Sequence, residues 1–159
     1  MPRLWEKRPE ARLVLAGARP APWLKRLRDP RIELLGWVEN IRDAYSMGSV
    51  FVAPLFTGSG MQNKILEAMA VGVPCITTEI VNDSILAKPT QEILLAEKAD
   101  DFVEHIIHLF DNEVFFRELS ENGRTFIESN FPWEKATQPL VNLLHKIIHT
   151  DNIHSYAKK

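Results

Sequence analysis

Cysteine is almost missing from this sequence. Cys75 is the only one in 159 residues. No intramolecular disulfide can form, and a reducing, intracellular compartment is the expectation. Long apolar runs are missing as well. No stretch of about 18 apolar residues occurs, so no helix of the sequence reads as a membrane span. The first residues, MPRLWEKRPEAR, are charged and have no apolar centre, so they do not read as a secretory signal. A basic surplus is absent too: 19 Lys and Arg stand against 21 Asp and Glu, a formal net charge of −2. Nucleic-acid binders carry a positive stripe or surplus, so that class is set aside. No internal repeat or low-complexity segment is found. What remains is ordinary globular composition, 45% hydrophobic and 25% charged, at a length that suits one domain. The expected location is cytoplasmic. Peripheral contact with the inner membrane surface stays open, because composition does not bear on it.

The first two-thirds alternate short apolar runs with amphipathic stretches. Arg12–Ala16, Ile32–Leu35, Val50–Pro54, Pro74–Thr78 and Glu92–Ala96 read as strands. They are short, rich in β-branched residues, and bounded by Gly or Pro, as buried parallel strands are. Ile41, Ala44 and Tyr45 mark a short helix. Met61, Ile65 and Met69 mark the next, widened by Leu66 and Ala70. The alternation predicts an α/β fold with a parallel sheet and right-handed crossovers. Beyond about residue 97 the pattern is helical. Ala99, Phe102, Val103, Ile106, Ile107 and Phe110 line one helix; Val114, Phe115 and Leu119 line another, which ends near Gly123. A last helix runs from about Pro132 to Ile148, with Trp133, Leu140, Val141, Leu144 and Ile148 inward and Pro139 placed to kink or split it. Residues 1–149 are expected to form one domain and 150–159 a polar tail.

The chemistry concentrates in PLFTGSGMQNKILEAMAVGVP, residues 54–74. The segment leaves the carboxyl end of a strand, passes Gly58, Ser59 and Gly60, and enters a helix. Ligands of open α/β sheets bind outside the strands' carboxyl ends. A helix N-terminus offers free N–H groups and a positive dipole end to an anion, and glycines let a backbone come close to it. The loop is therefore suited to a diphosphate. Ser59 and Gln62 also have capping-box spacing, so a purely local role at the helix start stands beside the ligand role. Asn63 and Glu67 share one helix face, where a carboxylate can accept hydrogen bonds from ribose hydroxyls. The plainer alternative is a solvated Lys64–Glu67 pair, worth a few tenths of a kcal/mol.

Other chemistry-bearing residues read as structural. His145 and His149 are one turn apart but have no evident third ligand, so no metal site is assigned. His105 and His108 read as surface positions and Cys75 as a small core residue. Arg19, Lys25 and Arg26 form a modest basic cluster that suits a solvated face at least as well as a phosphate.

The string GSGMQNKILEAMAVGVPCITT resembles the central motif of GT-B glycosyltransferases of the GT4 type (glycosyl transferases group 1): a glycine-rich loop, a helix with a (K)xxEAMAxGxPV pattern, then a strand. RLVLAGARP, ELLGWVENI, KPTQEILLAEKADDFVEHIIHLF and FIESNFPWEKA resemble further blocks of that family's donor-nucleotide domain, so the likeness spans about residues 8–149. It implies a Rossmann-like parallel sheet, the C-terminal half of a GT-B fold without its first strand, followed by C-terminal helices. It implies that Glu67 contacts the ribose of the donor. Gly58, Ser59, Gly60, Met61, Gln62, Asn63 and, more weakly, Lys64 would face its diphosphate and sugar. Gly36, Trp37 and Val38 would form the turn near the base. Ser59 stands where many members carry a glutamate that contacts the donor sugar, a departure shared by a familiar GSG…NK subtype.

The function so implied is the donor half of a retaining glycosyltransferase acting on a nucleotide-diphosphate sugar in cell-surface polysaccharide or glycolipid synthesis, without a metal or other cofactor. The residues name no catalytic base, nucleotide base, sugar or acceptor. The competing expectation is a non-catalytic nucleotide- or partner-binding module, such as one subunit of a split transferase. The acceptor-binding domain would be supplied by the same or another chain, and a homo-oligomer is compatible with the sequence. Without the family's first, central strand, Arg12–Ala16 and Val50–Pro54 are expected either to pair directly or to be completed by another chain.

Overall fold

The computed structural model describes residues 1–58 and 60–156; the side chains of residues 25, 133–136 and 149–156 lie outside the description. The chain divides into two compact units, Met1–Phe126 and Ile127–Lys159.

The first unit alternates helix and strand. Helix α1 (Pro2–Lys7) leads to β1 (Leu13–Ala16), a 3-10 turn at Leu24–Arg26, β2 (Ile32–Gly36), α2 (Ile41–Ser46), β3 (Phe51–Ala53), α3 (Asn63–Val71), β4 (Cys75–Thr77), α4 (Glu79–Ile85), β5 (Leu94–Leu95), α5 (Ala99–Asp111) and α6 (Glu113–Asn130). Every strand pairing is parallel, as the run-and-crossover pattern predicts. β1 pairs with β2, with Leu13 opposite Ile32. β3 pairs with β4, with Ala53 opposite Thr77, and β4 pairs with β5.

The expected direct pairing of the first and third strands is not formed: β1–β2 and β3–β4–β5 are separate sheets. The connection between them runs through α2, which packs on α3. The fifth strand is shorter than expected, because only Leu94 and Leu95 find partners on β4 while Ile93 bridges Pro89.

The core gathers Ile76, Leu94 and Ala96 from the sheet, Phe102, Val103, Ile106 and Leu109 from α5, and Leu119 from α6. Leu109 takes the buried place expected for Phe110, which is 43% exposed. On α3, Ile65, Ala68 and Met69 are buried, Ala70 is exposed, and Met61 precedes the helix instead of lying on its face. Helix α4 has no counterpart in the expected elements. It buries Val81 and Ile85, one turn apart. Nor does α6 end at Gly123. That glycine lies inside the helix because a Cβ there would stand 3.0 Å from the carbonyl oxygen of Glu92 and 3.5 Å from Met69 Cε. Close approach, not termination, calls for a residue without a side chain.

The second unit holds the end of α6 and α7 (Trp133–Tyr156), which passes through Pro139 and extends beyond the expected end at Ile148. Leu140, Val141, Leu144 and Ile148, expected inward, are exposed. The inward placement expected of Trp133 lies outside the described residues.

Candidate functional site

The site is built on the exit from β3. Thr77 and Thr78, both fully buried at the end of β4, point their hydroxyls at that exit. Thr77 Oγ1 donates to the Ala53 carbonyl at 3.0 Å, and Thr78 Oγ1 donates to the Leu55 carbonyl. The backbone is thereby fixed just before the glycine loop. Farther along, Ser84 Oγ of α4 donates its one hydrogen to the Val81 carbonyl of its own helix at 2.9 Å and lies 3.3 Å from the Gly60 carbonyl oxygen. Gly58 and Gly60 adopt φ of 137° and 86°. Side-chain-bearing residues rarely take those values, so both glycines are required by the path of the loop. Ser59 lies outside the described residues.

Helix α3 then begins at Asn63 with no side-chain cap. Gln62 occupies the cap position and makes no side-chain cap hydrogen bond; its expected pairing with Ser59 lies outside the described residues. Among the described residues, the N–H groups of Asn63 and Lys64 have no recorded partner. Such a start leaves donors and the positive dipole end pointing out of the loop. Met61, Asn63 and Lys64 are exposed and Gln62 is half-buried.

Glu67 lies one turn beyond Asn63. Its carboxylate does not pair with Lys64; it accepts a hydrogen bond from the Tyr45 hydroxyl, 2.9 Å from Oε2. Tyr45 is buried, and its ring meets Phe51 edge-on at 5.4 Å. Burial, with the Glu67 carboxylate adding to it, pushes the phenol far above its ordinary range. Near neutral pH the phenol therefore keeps its proton and donates. The sequence marks it only as an apolar-stripe residue of a short helix. No local signal ties it to a carboxylate 22 positions away.

The residues expected near a base sit at the end of the other sheet. Gly36 closes β2 at φ 67°, and its carbonyl accepts the Gly17 N–H at 2.7 Å. Leu15, Ala16, Gly17, Arg19, Leu34 and Gly36 line a cavity of about 220 Å³ at the carboxyl ends of β1 and β2. Trp37, 70% exposed, and Val38 follow but do not line it. Of the basic cluster, Arg19 reaches this cavity; the side chain of Lys25 lies outside the described residues. No hydrogen bond or ion pair among the described residues joins this group to the α3 loop.

The remaining polar candidates are held by the fold. His105 Nε2 lies 2.9 Å from the Leu95 carbonyl oxygen, and His108 stacks on Phe115 at 4.6 Å. Burial pushes the Cys75 thiol up, away from nucleophilic use. The side chain of His149 lies outside the described residues.

The family model of glycosyl transferases group 1 matches residues 1–112. The chain is 31% identical over 115 residues to the UDP-Gal:alpha-D-GlcNAc-diphosphoundecaprenol alpha-1,3-galactosyltransferase of Escherichia coli, covering 71% of this chain and 29% of that protein. Among solved structures, Anabaena HepE in complex with UDP superposes with a TM-score of 0.77 at 14% identity, covering 87% of this chain and 42% of HepE. The sucrose-phosphate synthase of Thermosynechococcus elongatus gives 0.77 at 21% identity, covering 93% and 41%. The chain thus spans under half the length of these relatives, and the structural likenesses establish its fold as that of the GT-B glycosyltransferases. The match over more than two-thirds of its length shows that this chain belongs to the glycosyl transferases group 1 family.

Proposed function

We propose that this chain is the donor-binding half of a retaining glycosyltransferase that uses a nucleotide-diphosphate sugar. The observation that carries the reading is the uncapped start of α3, placed directly after two glycines at positive φ and after a strand exit held by Thr78. The diphosphate lies against the N–H groups of that first turn, Glu67 accepts from the ribose hydroxyls, and the cavity beside Gly36 takes the base. During transfer, the bond from the sugar's anomeric carbon to the β-phosphate oxygen breaks and the diphosphate leaves with the electron pair, while an acceptor hydroxyl oxygen bonds to that carbon and passes its proton to the leaving diphosphate. Fixed amides and a helix dipole meet that developing charge without reorganising. Those groups supply positive potential with no metal.

UDP is the nucleotide to test first, since the name of the Escherichia coli relative contains UDP-Gal and HepE was solved with UDP. The diphosphoundecaprenol in that relative's name supports a role in cell-surface polysaccharide or glycolipid assembly. Acceptor binding belongs to the part of the relatives' length that this chain does not span. Calorimetric titration with UDP, GDP and ADP tests the reading. One nucleotide should bind, and Glu67→Ala should weaken it about tenfold or more, as loss of charged hydrogen bonds does. Equal, weak response to all three, unchanged in the variant, would refute it.

A further inference from the structure

The carboxylate of Glu67 is exposed on α3, yet it is not free to turn. One oxygen, Oε2, is held by Tyr45, and among the described residues Oε1 has no hydrogen-bond partner. Tyr45 is itself immobilised, 8% exposed, with its ring against Phe51 at an interplanar angle of 77°. Its helix is anchored by Asn40, whose side chain accepts the Arg42 N–H. The phenol carries a single O–H donor and keeps its proton, so this hydrogen bond has one polarity only. An exposed glutamate would otherwise sample several rotamers, and a ligand would have to order it on binding.

We infer that Tyr45 is a positioning residue for nucleotide recognition: it pins Oε2 of Glu67 so that Oε1 is presented, already oriented, to a ribose hydroxyl, and it thereby sets the preference for ribo- over deoxyribonucleoside diphosphates. This deepens the donor-site reading and rests on it. Tyr45 does not touch the ligand. It acts through the carboxylate, so its contribution vanishes when that carboxylate is gone.

The experiment is a double-mutant cycle on the full chain, read by calorimetry with UDP, 2′-deoxy-UDP, 3′-deoxy-UDP and inorganic pyrophosphate. Tyr45→Phe keeps the ring against Phe51 and removes only the hydroxyl. It should lower UDP affinity about fivefold to tenfold, the size of one hydrogen bond to a charged group. It should narrow the ratio between UDP and at least one deoxy analogue and leave pyrophosphate affinity unchanged. In a Glu67→Ala background, which has no acceptor for the phenol, the same change should have an effect of under about twofold. An unchanged UDP-to-deoxy ratio in Tyr45→Phe would overturn the inference while leaving the donor site standing. An equal loss for pyrophosphate, or a full effect in the Glu67→Ala background, would assign Tyr45 to general folding instead. Failure of the parent chain to bind any nucleoside diphosphate would overturn both readings together.

Discussion

Thr77 Oγ1 donates to the carbonyl of Ala53 at 3.0 Å, tying the end of β4 to the residue from which the β3 strand leaves for the glycine loop. Thr78 repeats the device on Leu55. Both hydroxyls are fully buried. Thr77→Val and Thr78→Val keep the side-chain shape and remove the donor. Each should cost about 1–2 kcal/mol in urea unfolding. Thr78→Val should also weaken nucleotide binding, because it frees the loop. A stability loss from Thr78→Val with unaltered affinity would separate the anchor from the site.

Gly123 should resist enlargement. Helix propensity alone favours alanine over glycine by about 1 kcal/mol. The new methyl would nevertheless stand 3.0 Å from the Glu92 carbonyl. That carbonyl belongs to a braced turn, in which Glu92 N–H donates to Lys88 O at 2.9 Å and Glu92 Oε2 accepts the Lys88 N–H at 2.7 Å. Gly123→Val should lower stability by about 2–3 kcal/mol, as overpacking does. Chemical denaturation checks it, and a stabilised variant would contradict the close-approach reading.

Asp29 provides a pH signature. Hydrogen bonds from the Arg31 side chain, then from its backbone N–H, hold the carboxyl at about 2, below its ordinary 3.8. A depressed carboxylate contributes stability that is complete above the unfolded value and is lost as pH falls from about 4 through about 2. Asp29→Asn should lower stability near neutrality, where the carboxylate's contribution is complete, and flatten the profile between about pH 4 and about pH 2, where the parent chain loses that contribution. Arg31 also lies over the Trp5 ring at 3.9 Å, so Trp5 fluorescence is a suitable probe.

Much of this architecture is legible in the sequence, and the exceptions share a cause. The first four strands announce themselves as β-branched runs between Gly and Pro, and the glycine loop with its helix follows from Gly58, Gly60 and the Ile65–Met69 spacing. Helix α4 is hidden because EIVNDSI mixes β-branched residues with Asn and Asp, a composition that suits strand or loop equally. Gly123 reads as a stop because its reason for being glycine, the Glu92 carbonyl, is 31 residues away and not local. Glu67 is legible as a site residue from its face of α3. Its partner is not: the Lys64 beside it in sequence is the obvious choice, and the actual donor, Tyr45, is brought in by the packing of α2 on α3. Local periodicity finds elements. Tertiary contacts decide which polar groups meet.

The most direct test of the central claim is to follow backbone amide NMR signals while UDP is added. The account predicts saturable shifts at Gly60, Asn63 and Lys64, at the start of α3, with smaller ones at Gly17 and Gly36 and none along residues 140–148 of α7. Saturable binding that leaves the Asn63 and Lys64 amides unmoved would place the diphosphate elsewhere and contradict it.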